Sequence, residues 1–352
     1  MASKEQYTSE RKEAIIEPLI AADKTLNAQD GLTAGTETEK KDNKILAVVM
    51  MNFHALCITG TSATYRIVAE EGFHVIDFTL FRNLSIFTIA LLWCLLVSRN
   101  PLKNFPWKHK HQLIWRIITG QADFFLLNLA VTKAPLSLIM VFWQTSPFWI
   151  SIIAFLFLKE PIVAIELVSM LICFGAVVVI SLQQKDSDSS DGEASSVEEG
   201  DDETLLGLIY ALLAAITMAI CAVCNRSLKQ THTAVICFFH ACGGLFMAST
   251  YILIEFLLSD DGLRMKQYTG RQFWIAAGAA TFNSGANITS TIAYQCDSSG
   301  FVSLISYMNI VYAYICDQII FHEVLNSVEL IAAIVIFVTA IGIAAYKLIK
   351  QK

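Results

Sequence analysis

The chain has 352 residues, 55% of them hydrophobic and only 16% charged, with a net charge of −6 and nine cysteines. A soluble domain carries about 25% charged residues, whereas here apolar runs of roughly 20 residues recur, the length that crosses a bilayer core as a helix. These features exclude an ordinary soluble globule and imply a multi-pass membrane protein.

The acidity is local. Nine acids precede Ile45 and nine more lie within residues 183–204, so the rest of the chain holds 13 acids against 17 bases. Residues 1–44 read as a disordered cytosolic tail, because MASKEQYTSERKEAII has no apolar stretch before a small-residue cleavage site. Five spans follow, at 45–65, 78–97, 112–132, 136–158 and 162–182. Residues 183–204, including QQKDSDSSDGEASSVEEGDDET, are acidic, Ser-rich and without apolar periodicity, which predicts a disordered linker. Five more spans follow, at 205–225, 233–258, 272–293, 299–321 and 327–348.

The two halves match. A shift of 163 puts Glu160 on Glu323, Glu166 on Glu329 and Ala130 on Ala293. Nearer the start of each half the shift is slightly smaller: Tyr65-Arg66 closes the first span as Asn225-Arg226 closes the sixth, and Phe81-Arg82 corresponds to Phe239-His240. Five is odd, so the second half enters the membrane the other way up. The predicted fold is all-α, with ten transmembrane helices in two inverted five-helix repeats, 45–182 and 205–348. Inverted repeats are a transporter architecture with the binding site at the repeat interface.

Lys and Arg set the orientation. With the N-terminus inside, the cytosolic loops carry Arg99, Lys103, Lys108, Lys110, Lys159, Arg226, Lys229, Lys347, Lys350 and Lys352. The opposite side carries Arg66, Lys133, Lys185, Arg264, Lys266 and Arg271. The bias favours both termini in the cytosol and the acidic linker on the far side. Lys159-Glu160-Pro161 is then a short turn at the bilayer surface. Glu160 is expected at the N-terminus of the fifth helix, where the helix dipole favours a negative charge, with Glu323 in the same role for the tenth helix at the opposite surface.

The ten spans, the five-plus-five halves, the short Glu-containing turn closing each half and the aromatic-Arg motif Phe81-Arg82-Asn83 resemble the EamA-type branch of the drug/metabolite transporter superfamily. The resemblance covers about residues 45–348 and extends to the eukaryotic solute carrier 35 group. His322-Glu323-Val324 keeps only the Glu of the turn. The resemblance implies a transporter of small metabolites in the plasma membrane or an endomembrane. The clustered lysines expected of a nucleotide-sugar or phosphate carrier are not found.

Ionisable groups inside a bilayer are functional candidates by default. Asp123, mid-span, is a candidate for proton coupling or a static partner for Arg82. Arg82 would pair an anionic substrate group, lock a gate to Asp123, or serve structure. Its counterpart His240 is a gating candidate or a packing residue. On span four, Ser137, Met140, Gln144, Pro147 and Ser151 share one face. Their repeat mates Gly300, Ser303, Tyr307, Ile310 and Tyr314 share another, which Asp317 extends. Gln144 and Tyr307 are expected to face each other across a central cavity, with Ser151, Ser303 and Tyr314 on its wall and Asp317 as a further gating candidate. Asn283 and Asn287, one turn apart on a small-residue helix, are candidates for the same cavity or for helix packing.

Cys221-Ala-Val-Cys224 lies in an apolar helix with no second pair nearby, which favours packing over metal or redox chemistry. No metal, cofactor or nucleic-acid partner is expected. No HExxH, nucleophile-base pair or phosphate loop points to an enzyme. The expected partners are a small-molecule substrate and the lipid bilayer, and both proton coupling and a homodimer are compatible with the pattern. The function read from the sequence is secondary transport of a small organic solute by alternating access. The alternative is a scaffold or sensor that kept the fold without transport.

Overall fold

A computed structural model describes residues 43–98, 100–131, 133, 139, 142–188, 200–258, 268–320 and 327–349. Its helices are α1 (Lys44–Glu70), α2 (Val75–Leu96), α3 (Lys110–Val131), α4 (Ser146–Leu158), α5 (Ala164–Asp188) and α6 (Gly200–Ser227). They continue with α7 (Thr233–Leu258), α8 (Gly270–Cys296), α9 (Ser299–Ile305), α10 (Met308–Ile320) and α11 (Ser327–Ile349). No strand occurs among the described residues. Each of the ten predicted spans contains helix among its described residues. Among the described residues, four stretches suffice to cross a membrane by length and composition alone: Lys44–Tyr65, Val75–Leu96, Leu205–Ser227 and Thr233–Leu258. Several helices outrun their predicted spans, because polar ends prolong a helix beyond the apolar stretch. The predicted linker shrinks in this way: α5 continues to Asp188 and α6 begins at Gly200, and residues 189–199 lie outside the described residues, as does the N-terminal tail to residue 42.

The helix pairing has the symmetry of the repeat. α1 packs along α8, and its repeat mate α6 packs along α3. α2 packs on α7 and α5 on α11, each against its own mate. The principal contacts therefore run between the halves, and the core is built by both together. Its largest apolar cluster draws on α1, α4, α5, α6, α8, α9 and α11, with Met51, Ile150, Met170, Ala222, Phe301 and Ile343 among its members. Small residues allow the close approaches. A methyl group on Gly244 of α7 would overlap the Asn83 amide of α2.

The surface is largely apolar, and the interior buries polar side chains among its apolar clusters. Leu95, Phe157, Phe246, Leu257 and Val338 stand exposed, while Asn83, Arg116, His240, Thr291 and Ser303 are buried. Hydrocarbon offers polar groups no partners, so these side chains turn inward.

The ninth span is broken. α9 ends at Ile305, and Ser306-Tyr307 form a turn before α10 begins at Met308. The fourth span breaks at the corresponding place, where Gln144-Thr145 form a turn before α4. There Pro147 sits in the first turn of α4; it lacks an N–H and its ring clashes with the carbonyl four residues back. In the ninth span the Ser306 hydroxyl donates to the Ser303 carbonyl at 2.6 Å, competing with the helix ladder. The two interruptions fall on the Gln144 and Tyr307 positions that the repeat relates.

Candidate functional site

The middle of the molecule holds a polar network drawn from both halves. Arg116 of α3 is 2% exposed. Its Nε donates to Asn225 Oδ1 at 2.5 Å, Nη1 lies 3.0 Å from His240 Nδ1, and Nη2 donates to Asn287 Oδ1 at 3.4 Å and Thr291 Oγ1 at 3.5 Å. Arginine only donates, so the His240 Nδ1 it meets must accept and the ring proton sits on Nε2. Gln121, five residues on from Arg116, donates from Nε2 to Asn83 Oδ1 at 3.2 Å and to the His240 carbonyl at 3.3 Å. Arg82 of α2 donates from Nε to Asn283 Oδ1 at 2.7 Å, and its guanidinium carbon lies 4.2 Å from the centre of the Phe124 ring. Asp123 accepts from Trp143 Nε1 at 3.3 Å and interacts electrostatically with Arg82 and Arg116.

Helix periodicity explains the assembly. Asn283, Asn287 and Thr291 recur every four residues on α8, so one face presents three polar groups to α2 and α3. Arg116, Gly120 and Asp123 share one face of α3, at a spacing of four and then three. The expected Arg82, Asp123, His240, Asn283 and Asn287 thus meet in one network. Arg82 does not form an ion pair with Asp123; ion pairs among the described residues include Arg226–Glu160 and Arg271–Glu71. Arg116 and Gln121 are not among the residues expected from the sequence. An arginine in LIWRIITG is itself an intramembrane charge, and that signal was sufficient to single it out.

Gln144 and Tyr307 also meet, by direct contact. The Tyr307 hydroxyl donates to the Gln144 carbonyl at 3.1 Å, the acceptor freed by the break in span four, and Gln144 Nε2 donates to Asn309 Oδ1 at 3.1 Å. Tyr307 is wholly buried, in a cluster with Cys173, Val177 and Ile336. Ser151 Oγ contacts Met170 Sδ at 3.6 Å, and Ser303 donates to Gly300 within its own helix at 2.9 Å. The side chains of Tyr314 and Asp317 lie outside the described residues, as do Ser137, Met140 and Glu323.

Glu160 departs from its expected role as a cap for the fifth helix. α4 ends with Lys159 in the left-handed conformation, φ 54°, and α5 begins only at Ala164. The Glu160 carboxylate instead spans the two halves: Oε1 accepts from Arg226 Nε at 2.9 Å and Oε2 from the Ser299 backbone N–H at 2.9 Å. Arg226 Nη1 also donates to the Gln295 carbonyl at 3.2 Å. The carboxylate therefore sits on the first N–H of α9, where orphan donors and the dipole favour an anion. Both side chains of the pair are largely buried, at 9% and 18% exposure. The left-handed turn at Lys159 directs the chain so that Glu160 faces the other half.

Among the described residues, no group of three His, Cys, Asp or Glu side chains could hold a metal ion. Cys221 and Cys224 are unlinked and buried in α6.

The profile of the EamA-like transporter family matches residues 45–182 and again 205–345. No curated protein matches by sequence. A protein of known crystal structure is similar in fold, with a TM-score of 0.65 and 15% identity, over 84% of this chain and 95% of that one. At that identity the likeness shows the fold alone.

Proposed function

Because the chain belongs to the EamA-like transporter family, we propose that it is a secondary transporter, moving a small organic solute by alternating access of its two halves. The observation that carries this reading is the central network. Side chains of α2 and α3 are held by side chains of α6, α7 and α8, so relative movement of the halves must remake it. The Glu160–Arg226–Ser299 clasp shuts the halves together at one end. With both termini in the cytosol, as the Lys and Arg distribution favours, that end is the cytosolic mouth. Spans four and nine are interrupted near the middle, as discontinuous helices are in transporters. Asp123 is the candidate for proton coupling, being the carboxylate of the network. The exposed apolar surface accommodates lipid or a second copy of the chain.

The test is flux. Proteoliposomes with and without the purified protein are incubated with a cell metabolite extract, and their contents are compared by mass spectrometry. Protein-dependent accumulation is expected for a small set of solutes; none at all would return the chain to the scaffold or sensor reading. Asp123→Asn should abolish uptake driven by a proton gradient and spare substrate exchange, which needs no net proton movement. Unchanged gradient-driven uptake removes Asp123 from the coupling step.

A further inference from the structure

We infer that the transported solute is an organic anion, its carboxylate docking on Arg82 in the joint field of Arg82 and Arg116. This rests on the transporter reading and names the substrate class for it.

The argument begins with a charge imbalance. Arg82 and Arg116 are 5% and 2% exposed, in the middle of a membrane protein. Their hydrogen-bond partners are all neutral: Asn283 for Arg82, and Asn225, His240, Asn287 and Thr291 for Arg116. Neither takes part in an ion pair among the described residues. Among the described residues, Asp123 is the carboxylate of this network, and it interacts electrostatically with both arginines. Two cations against one anion leave the centre one negative charge short, and burying a charge without its counter-charge is costly. A bound anion with a single charge removes that cost.

The geometry indicates where the anion docks. Arg116 is occupied at all three nitrogens. Arg82 is not: its Nε is bound to Asn283, while Nη1 is sealed from solvent without a hydrogen-bond partner among the described residues. A guanidinium edge presents donors that match the two oxygens of a carboxylate. The surroundings select against inorganic phosphate and polyphosphates. The Phe124 ring lies beneath Arg82, and the Trp143 indole donates to Asp123. Aromatic walls and a deficit of one charge suit a monocarboxylate with an apolar or aromatic body.

Two measurements test the assignment. In the metabolite-extract assay, the accumulated solutes are expected to carry a carboxylate, and Arg82→Gln should reduce their flux at least tenfold. Flux confined to neutral or cationic solutes overturns the anion assignment and leaves the transport reading intact. Absence of all flux overturns the transport reading, and the second measurement then decides the anion site alone. The thermal midpoint of the purified wild-type protein is compared in benzoate against benzamide, phenylacetate against phenylacetamide, and inorganic phosphate, at matched ionic strength. At least one acid should raise the midpoint by several degrees more than its amide and more than phosphate, and Arg82→Gln should erase the difference. Equal midpoints for acid and amide in both pairs, phosphate matching the acids, or a difference that survives in Arg82→Gln overturns the assignment. The wild-type acid-against-amide comparison stands even if Arg82→Gln fails to fold.

Discussion

At Gly120 the central network leaves no room for a methyl group. A Cβ there would lie 2.6 Å from Arg116 Nη1, 3.0 Å from His240 Cε1 and 3.3 Å from Cys221 Sγ. The tip of an arginine usually swings aside, but this one is pinned by Asn225 and His240. Gly120→Ala should therefore destabilise the protein by about 1–3 kcal/mol, the usual cost of overpacking. Gly278→Ala is the control. It is also helical, yet nothing lies within 4 Å of its added Cβ, so removing a glycine there should be neutral or gain up to ~1 kcal/mol. Thermal unfolding in detergent separates the two. Equal midpoints would mean that the space around Arg116 is not what keeps Gly120 a glycine.

At the scale of elements, the clasp between the α4–α5 turn and α9 joins residues far apart in sequence. A largely buried, hydrogen-bonded pair is expected to couple by about 0.5–3 kcal/mol. A double-mutant cycle with Glu160→Gln and Arg226→Gln, read by thermal stability, should return a value in that range. A coupling indistinguishable from zero would reduce Glu160 to a turn former. Glu160 also shows why an element's role is hard to read from its own neighbourhood. The turn Lys159-Glu160-Pro161 is legible, since proline and two charges interrupt an apolar run. The carboxylate's partners are not, because they lie 66 and 139 residues further along the chain.

For the whole molecule, the expected arrangement places both termini in the cytosol and the acidic segment on the far side. In sealed vesicles of cytosol-outside orientation, tags at both ends should be digested by added protease, while the segment between α5 and α6 is cut only after permeabilisation. A segment cut in sealed vesicles would overturn the orientation, and with it the placing of the Glu160 clasp at the cytosolic mouth.

The sequence by itself determined the class of fold, the ten spans and the two halves. Hydrocarbon tolerates only apolar side chains on helical backbone over a fixed thickness, so the pattern is strong and local. It also singled out Arg82, Asp123, His240, Asn283 and Asn287, because charge and amide are conspicuous where the solvent is lipid. The shift between halves paired Gln144 with Tyr307, and the two do touch. Only the tertiary structure decided the partners. That Arg82 reaches Asn283 rather than Asp123, that Arg116 is gathered by Asn225, His240, Asn287 and Thr291, and that Glu160 clasps Arg226 and Ser299 depend on how each helix is rotated and which helix it lies against. Those choices are made by packing between segments separated by 66 to more than 200 residues, which no local period encodes.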